Sequence, residues 1–166
     1  MSVDQSPYSV PNANLEADLS KDNGISQLPR FSAWWVLLLT AFTFGIYAFI
    51  WLYKRTVIIN KIQNRKIEPW LINTAISLFI INNLLSFYTG YSGNTIDPAL
   101  QIVSMIMSFT GGIFSLVWIF KVRNRLNYIG NATKGSRNWI GGILTFFFTV
   151  IYLQYKINQM IDDCQS

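Results

Sequence analysis

Thr43-Phe44-Gly45-Ile46-Tyr47-Ala48-Phe49-Ile50-Trp51-Leu52-Tyr53-Lys54 returns, 67 residues later and without a gap, as Thr110-Gly111-Gly112-Ile113-Phe114-Ser115-Leu116-Val117-Trp118-Ile119-Phe120-Lys121. After a basic turn, the first copy closes on Ile59-Asn60 and the second on Leu126-Asn127. Thr, Gly, Ile, Trp, Lys and Asn are identical at fixed spacing, and Tyr47 and Phe114 match in character. Apolar residues would coincide by chance in any hydrophobic stretch. Trp, Lys and Asn in one register are far less apt to, so the phrase reads as an internal duplication.

The phrase is apolar up to its lysine, and the rest of the chain follows that division. Of the 166 residues, 51% are hydrophobic and 13% charged, against about 25% charged in soluble domains. No charge falls between Phe31 and Tyr53, Trp70 and Thr95, Pro98 and Phe120, or Trp139 and Tyr155. A helix needs about 20 apolar residues to cross a bilayer and must satisfy its own backbone there. The pattern predicts an all-α, polytopic membrane protein with four transmembrane helices near 32–54, 70–89, 99–120 and 139–156. These would form two parallel helical-hairpin repeats in a domain over 31–162. Residues 1–30 are polar and proline-bearing, with too little apolar surface to offset ordering, and are predicted to form a disordered tail. Residues 163–166 are expected to form a second short tail. The leader lacks the basic start and early apolar run of a signal peptide.

The connectors 54–69 and 121–138 carry net charges of +4 and +5. Basic loops stay on the cytoplasmic side, so both connectors are expected there, with four full crossings placing both termini outside. A turn at Gly45 would instead bring the N-terminus inside. Trp51 with Lys54, and Trp118 with Lys121, are expected to mark the membrane boundary, because a mid-bilayer lysine costs about 2.5–3.5 kcal/mol. Trp139, opening the fourth helix, takes the place of Trp70 in the second. Anionic lipid is an expected partner of the basic connectors. Nucleic acid is not expected, since the cations flank apolar segments. The segment 6–13, with Pro7 and Pro11 around Tyr8 and Val10, suits an extended grip for a protein partner.

Polar residues inside the apolar segments form the candidate intramembrane site: Asn73, Ser77, Asn82, Asn83, Ser104 and Ser108. They would serve either as packing contacts between helices or as the lining of a small channel or carrier, oligomeric or not. The chain has no histidine, and its one cysteine, Cys164, excludes an intrachain disulfide. No carboxylate lies in an apolar segment, and no metal-ligand spacing, phosphate loop or nucleophile–base pair occurs. No catalytic, metal or cofactor site is therefore expected, and the function expected is a non-catalytic membrane interaction or scaffold role.

The two copies of T-x-G-I-[YF]-x-x-x-W-[LI]-[YF]-K, with the closing Leu153-Gln154-x-x-Ile157-Asn158, resemble an uncharacterised family of small bacterial integral membrane proteins, a domain of unknown function. The resemblance covers roughly residues 31–162, and the second copy departs from it at Gly111 and Phe114. It implies a bacterial inner-membrane location and no particular activity. The signature residues are Thr43, Gly45, Tyr47, Trp51, Lys54 and Asn60 with their mates Thr110, Gly112, Phe114, Trp118, Lys121 and Asn127. Asn60 and Asn127 follow the boundary lysines and have no role that the sequence explains.

Overall fold

Every long apolar run becomes helix, but two of the four runs break in the middle. The computed structural model describes residues 24–91 and 97–165. Within them are five helices: α1 (Ala33–Phe42), α2 (Ile46–Ile62), α3 (Pro69–Tyr91), α4 (Pro98–Ile129) and α5 (Gly142–Gln165). A short 3-10 turn, Ile25–Gln27, precedes them. The segment 6–13 and most of the leader lie outside the described residues.

The sequence predicts one span over 32–54, and the structure corrects this. The helix stops at Thr43, whose hydroxyl donates to the Leu39 carbonyl (2.7 Å) and accepts from the Tyr47 N–H (2.9 Å). Phe44 and Gly45 then take positive φ values of 49° and 89°, a left-handed turn that glycine tolerates best. The chain doubles back, and the Arg55 guanidinium donates to the Pro29 carbonyl at 2.9 Å. An unbroken helix would hold those residues nearly 40 Å apart at about 1.5 Å per residue.

The predicted span at 139–156 breaks similarly. Thr149 has φ 41° and ψ −122°, which is not helical. Lys156 Nζ donates to the Arg137 carbonyl, and the Gly141 N–H donates to the Tyr152 hydroxyl at 3.3 Å. Both contacts require α5 to fold back on itself at Thr149. Each arm of these two hairpins is short. The 10 residues of α1 extend about 15 Å, half a hydrocarbon core.

Among the described residues, only α3 and α4 are long and apolar enough to cross a membrane, at 23 and 32 residues. They pair with each other more extensively than any other two elements. Asp97 caps α4 by accepting the Ala99 N–H at 2.9 Å, with Pro98 in the first turn. Gly111 lets α4 approach closely, since a Cβ there would lie 3.4 Å from the Leu78 Cβ. The result is one long hairpin flanked by two short ones, in place of four equal crossings.

The core gathers at one end. No residue of α3 beyond Ala75, and none of α4 before Trp118, is buried. The fully buried side chains, among them Ile59, Leu71, Trp118, Leu126, Ile140, Leu153 and Ile157, lie where the three hairpins meet. Ile25 and Leu28 join them at 1% exposure, and Arg30 pairs with Asp162 at 2.7 Å. Residues 24–30, placed by the sequence reading in the tail, are thus packed against the core.

Gly45 and Gly112 occupy the same place in the duplicated phrase yet differ in conformation, φ being positive only at Gly45. Gly45→Ala should destabilise the purified protein by about 1–2 kcal/mol through left-handed strain. Gly112→Ala, inside α4 with nothing within 4 Å of the added carbon, should be neutral or stabilise by up to about 1 kcal/mol. Thermal unfolding in detergent measures both, and equal effects would contradict the turn at Gly45.

Candidate functional site

The three hairpins are joined end to end by asparagine side chains, two of which come from the duplicated phrase. The Asn60 amide meets both backbone groups of Ile67: its Oδ1 accepts the Ile67 N–H at 2.8 Å and its Nδ2 donates to the Ile67 carbonyl at 3.1 Å. Asn127 does the same to Ile140, at 2.8 and 3.3 Å. Asn158, in the closing phrase, does it to Phe31, donating to its carbonyl at 2.7 Å and accepting its N–H at 3.4 Å. Each clasped residue precedes the first helix of a hairpin, and each asparagine lies toward the end of a hairpin's last helical arm. The three clasps close a cycle: first hairpin to second, second to third, third to first.

This cycle gives Asn60 and Asn127 their role. A chain turning from one helix into the next leaves backbone N–H and C=O groups without helical partners, and burying them unpaired is costly. Ile67 and Ile140 are fully buried, and a primary amide carries the donor and acceptor needed to satisfy both groups.

The clasps also define a threefold register that the sequence shows only in part. Counting back from each asparagine, Ile59, Leu126 and Ile157 precede it, and Leu52, Ile119 and Val150 lie eight positions earlier; all six are buried. Counting forward from each clasped residue, Trp34, Trp70 and Ile143 stand three positions on and are exposed, whereas Val36, Ile72 and Thr145, five positions on, are buried. Trp70 therefore corresponds to Trp34, not to Trp139 as the sequence reading has it. Trp139 instead stacks under the Arg123 guanidinium, 5.2 Å from its ring centre. The third copy leaves little trace in the sequence beyond Ile157-Asn158. Its tryptophan position is Thr149, where α5 turns back.

The two motif tryptophans are buried in the core. Trp118 is fully buried and donates to the Thr56 hydroxyl at 3.0 Å. Trp51 donates to Gln154 Oε1 at 2.8 Å, and Arg55 donates to the same oxygen at 2.7 Å. Gln154 Nε2 in turn donates to Asn158 Oδ1 at 2.8 Å. Arg55 is buried without a carboxylate, its guanidinium 5.3 Å from the Trp51 ring centre. Burial pushes its pKa down to about 10, which leaves it charged at neutral pH. Two carbonyl oxygens and an indole face take the place of a counterion.

The remaining signature residues divide. Lys54 is exposed. Lys121 pairs with Glu68, whose carboxyl is held below its ordinary range chiefly by that hydrogen bond. Phe114 meets Trp70 edge to face at 6.2 Å. Tyr47 is half-buried, as is Thr110, which lies inside α4 and caps no turn.

The proposed intramembrane polar residues do not converge. Ser108 donates to Asn82 at 2.8 Å across α3 and α4, and both line a cavity of about 250 Å³ with Phe49 and Gly111. Asn83 and Ser104 bond to carbonyls of their own helices, those of Phe79 and Gln101. Asn73 and Ser77 are exposed. Among the described residues, no three His, Cys, Asp or Glu side chains could share a metal ion.

Charge is concentrated at the clasped end. Arg30–Asp162, Lys121–Glu68 and Arg137–Asp163 all pair there, and Asp97 alone of the described carboxylates lies at the far end, before α4. Residues 31–128 match DUF4234, a domain of unknown function. The match ends one residue past Asn127, so it holds two of the clasping asparagines and leaves Asn158 outside. No curated protein and no solved structure matches the chain.

Removing a clasp strands a buried N–H. Asn127→Ala should cost about 1–3 kcal/mol, and Asn60→Ala somewhat less, since Asn127 is the more buried of the two. The Ile140 carbonyl keeps Arg123 Nε as a donor at 2.8 Å, so the loss at that site falls on the N–H. Unfolding in detergent measures the difference, and a cost under about 0.5 kcal/mol for both would remove the structural role.

Proposed function

The chain belongs to the DUF4234 family, and on that premise we propose that it is a non-catalytic scaffold of the bacterial inner membrane. In this reading α3 and α4 cross the bilayer. The hairpins at Ala33–Ile62 and 140–158 dip into the cytoplasmic leaflet and return. The basic connectors 54–69 and 121–138 then face the cytoplasm, where they engage anionic lipid or a protein partner.

The observation that carries the reading is the separation of the molecule into two zones. One is a packed, hydrogen-bonded end that holds most of the charge. The other is a pair of apolar helices that the protein itself hardly covers: the most apolar windows of α3 and α4 are only 17% and 11% buried. A core helix of a soluble protein would be mostly buried. The tips of the short hairpins are apolar as well, with Phe42, Phe44 and Phe147 at 80%, 90% and 72% exposure. Lipid is the solvent that makes such surfaces favourable. Tyr88 and Tyr91, exposed at the far end of α3, suit an outer aromatic belt.

The non-catalytic part rests on how the motif uses its polar groups. Both tryptophans and both asparagines of the duplicated phrase are spent on internal hydrogen bonds, and none is left facing a cavity as a reacting group. A channel lined by α3 and α4 draws less support, because Asn73 and Ser77 point away from Asn82 and Ser108. Their exposed positions are ones a second copy of α3 would satisfy, which favours an oligomer over a single-chain pore.

Two full crossings put both termini beside the basic connectors, whereas four would put them opposite. In a Cys164→Ser background, single cysteines at Ser26, Asn64 and Ser136 should all react with an impermeant maleimide from one side of sealed vesicles. Cysteine at Asp97 should react from the other side. Ser26 labelling from the Asp97 side would overturn the hairpin reading. A photoreactive crosslinker attached to the amines of Lys66 and Lys134 in native membranes should capture anionic lipid or a protein, and recovery of neither would sink the scaffold role.

A further inference from the structure

A cavity of about 730 Å³ opens between the α2–α3 connector and the end of α4. Its rim carries Arg65 and Arg125, with the amides of Gln63, Asn64 and Asn131. Ile62 and Ile129 form its apolar floor, and the exposed ring of Tyr128 stands at its side. We propose that this cavity binds a phosphorylated ligand, with Arg65 and Arg125 holding the phosphate.

The charge balance comes first. Among the described residues, no carboxylate lines the cavity. Among the described residues, Glu68, Asp162 and Asp163 are engaged by Lys121, Arg30 and Arg137, and Asp97 lies at the opposite end of α4. Neither Arg65 nor Arg125 is ion-paired within the described residues. The Glu68 carboxylate also feels the charge of Arg125, but its ion pair is with Lys121, so two guanidinium groups without a salt bridge of their own face this concave site and focus a positive potential. The planar fork of arginine fits phosphate oxygens two at a time.

The arms of the site are fixed before any ligand arrives. Asn60 clasps Ile67 and so pins the connector that carries Arg65. Gln63 Nε2 reaches the Arg125 carbonyl at 3.5 Å. The Ala132 N–H donates to the Asn127 carbonyl at 2.9 Å, holding the wall that carries Asn131. Such preorganisation lowers the cost of binding.

Size and height narrow the ligand. A bare phosphate would leave most of this volume empty, whereas pockets for small organic ligands measure roughly 300–1,000 Å³. The amides and Tyr128 offer hydrogen bonds and a ring face to the remainder of such a molecule. Arg125 lies four residues past Lys121 on α4, about 6 Å further from the apolar segment, and Tyr128 about 10 Å. A soluble organic phosphate reaches this depth freely. A lipid reaches it only through a headgroup that carries phosphate well clear of the hydrocarbon. The soluble case does not depend on membrane insertion, and the lipid case rests on the reading above.

The test uses the full chain in phosphatidylcholine nanodiscs, with ATP as the soluble probe followed by calorimetry. Phosphatidylinositol 4-phosphate, followed by native mass spectrometry of retained lipid, serves as the headgroup probe. Arg65→Gln and Arg125→Gln should each weaken binding of one probe by at least about tenfold. Lys134→Gln, an equal loss of charge outside the cavity, should change it less than about twofold. Circular dichroism confirms that each variant is folded. ATP binding with this pattern identifies a soluble phosphate ligand, and lipid retention with this pattern a headgroup. Equal losses in all three variants would mean diffuse charge attraction and would overturn the site. So would binding of neither probe, or binding that appears only after Asp18→Asn and Asp22→Asn, which would make the chain's own acidic leader the occupant. Cysteine labelling that fails the two-crossing pattern while ATP still binds would sink the membrane arrangement and leave the site standing.

Discussion

An asparagine amide laid against the backbone of the next hairpin is the contact on which this architecture depends. Helical hairpins have no intrinsic way of ending beside one another. Their connecting backbone must find partners for its N–H and C=O groups, and at a buried junction water cannot supply them. One primary amide satisfies both groups of one residue at once. Used three times, at Ile67, Ile140 and Phe31, it fixes where each hairpin starts relative to where the previous one ends. Hairpins of very different length can then share one base. The first and third could be short and the second long without any change in how they are joined.

In the proposed membrane arrangement, the base is also the place where the hydrophobic effect acts with full strength. Within lipid, apolar side chains gain little by leaving the hydrocarbon for one another, and helix pairing relies on close contact and hydrogen bonds. The pairing of α3 with α4 fits this, with Gly111 against Leu78 and Ser108 bonded to Asn82. At the clasped end, Ile25 and Leu28 from before the first helix cover side chains from α5, as a small soluble core is closed. The buried cation Arg55 fits that setting. It is held by carbonyl oxygens from Pro29 and Gln154, and so ties the leader, α2 and α5 into one layer.

Much of this was legible in the sequence and some was not, for identifiable reasons. Helix content, the duplicated phrase and the basic connectors follow from composition and spacing. The breaks at Thr43–Gly45 and Thr149 do not. Hydrophobic length measures what a segment could span, and says nothing of whether it turns halfway. Gly45 and Gly112 make the point, being the same letter in the same phrase. The run before Gly112 has α3 alongside it and continues as helix, whereas the run before Gly45 ends in a left-handed turn. Asn60 and Asn127 stood out as unexplained because their partners are backbone groups, which carry no signature in the sequence. The third clasp was harder still, since in the register of Asn60 the residues before Asn158 match the first copy at little more than Ile157 and Phe147. The internal hydrogen bonds of Trp51 and Trp118 were not legible either, since tryptophan beside a lysine reads first as an interface anchor. The indole N–H of each instead finds a buried acceptor, as buried tryptophans generally must.

The same geometry explains why the repeated phrase is kept together as a unit although its parts do different work. Trp51 and Trp118 each reach sideways to another hairpin, one to Gln154 in the third and one to Thr56 in the first. Asn60 and Asn127, nine positions on, each reach forward to the hairpin that follows. Nine residues are two and a half helical turns, so the tryptophan and the asparagine sit on opposite sides of their helix. Each helix thus contacts two neighbours from two faces, which is the condition for three hairpins to close into a ring instead of stacking in a row. The first half of the phrase is free to vary in conformation, turning at Gly45 or running through at Gly112, because the ring needs only the second half. A hairpin can therefore shorten or lengthen beyond the ring while its base stays the same, and this chain displays both outcomes.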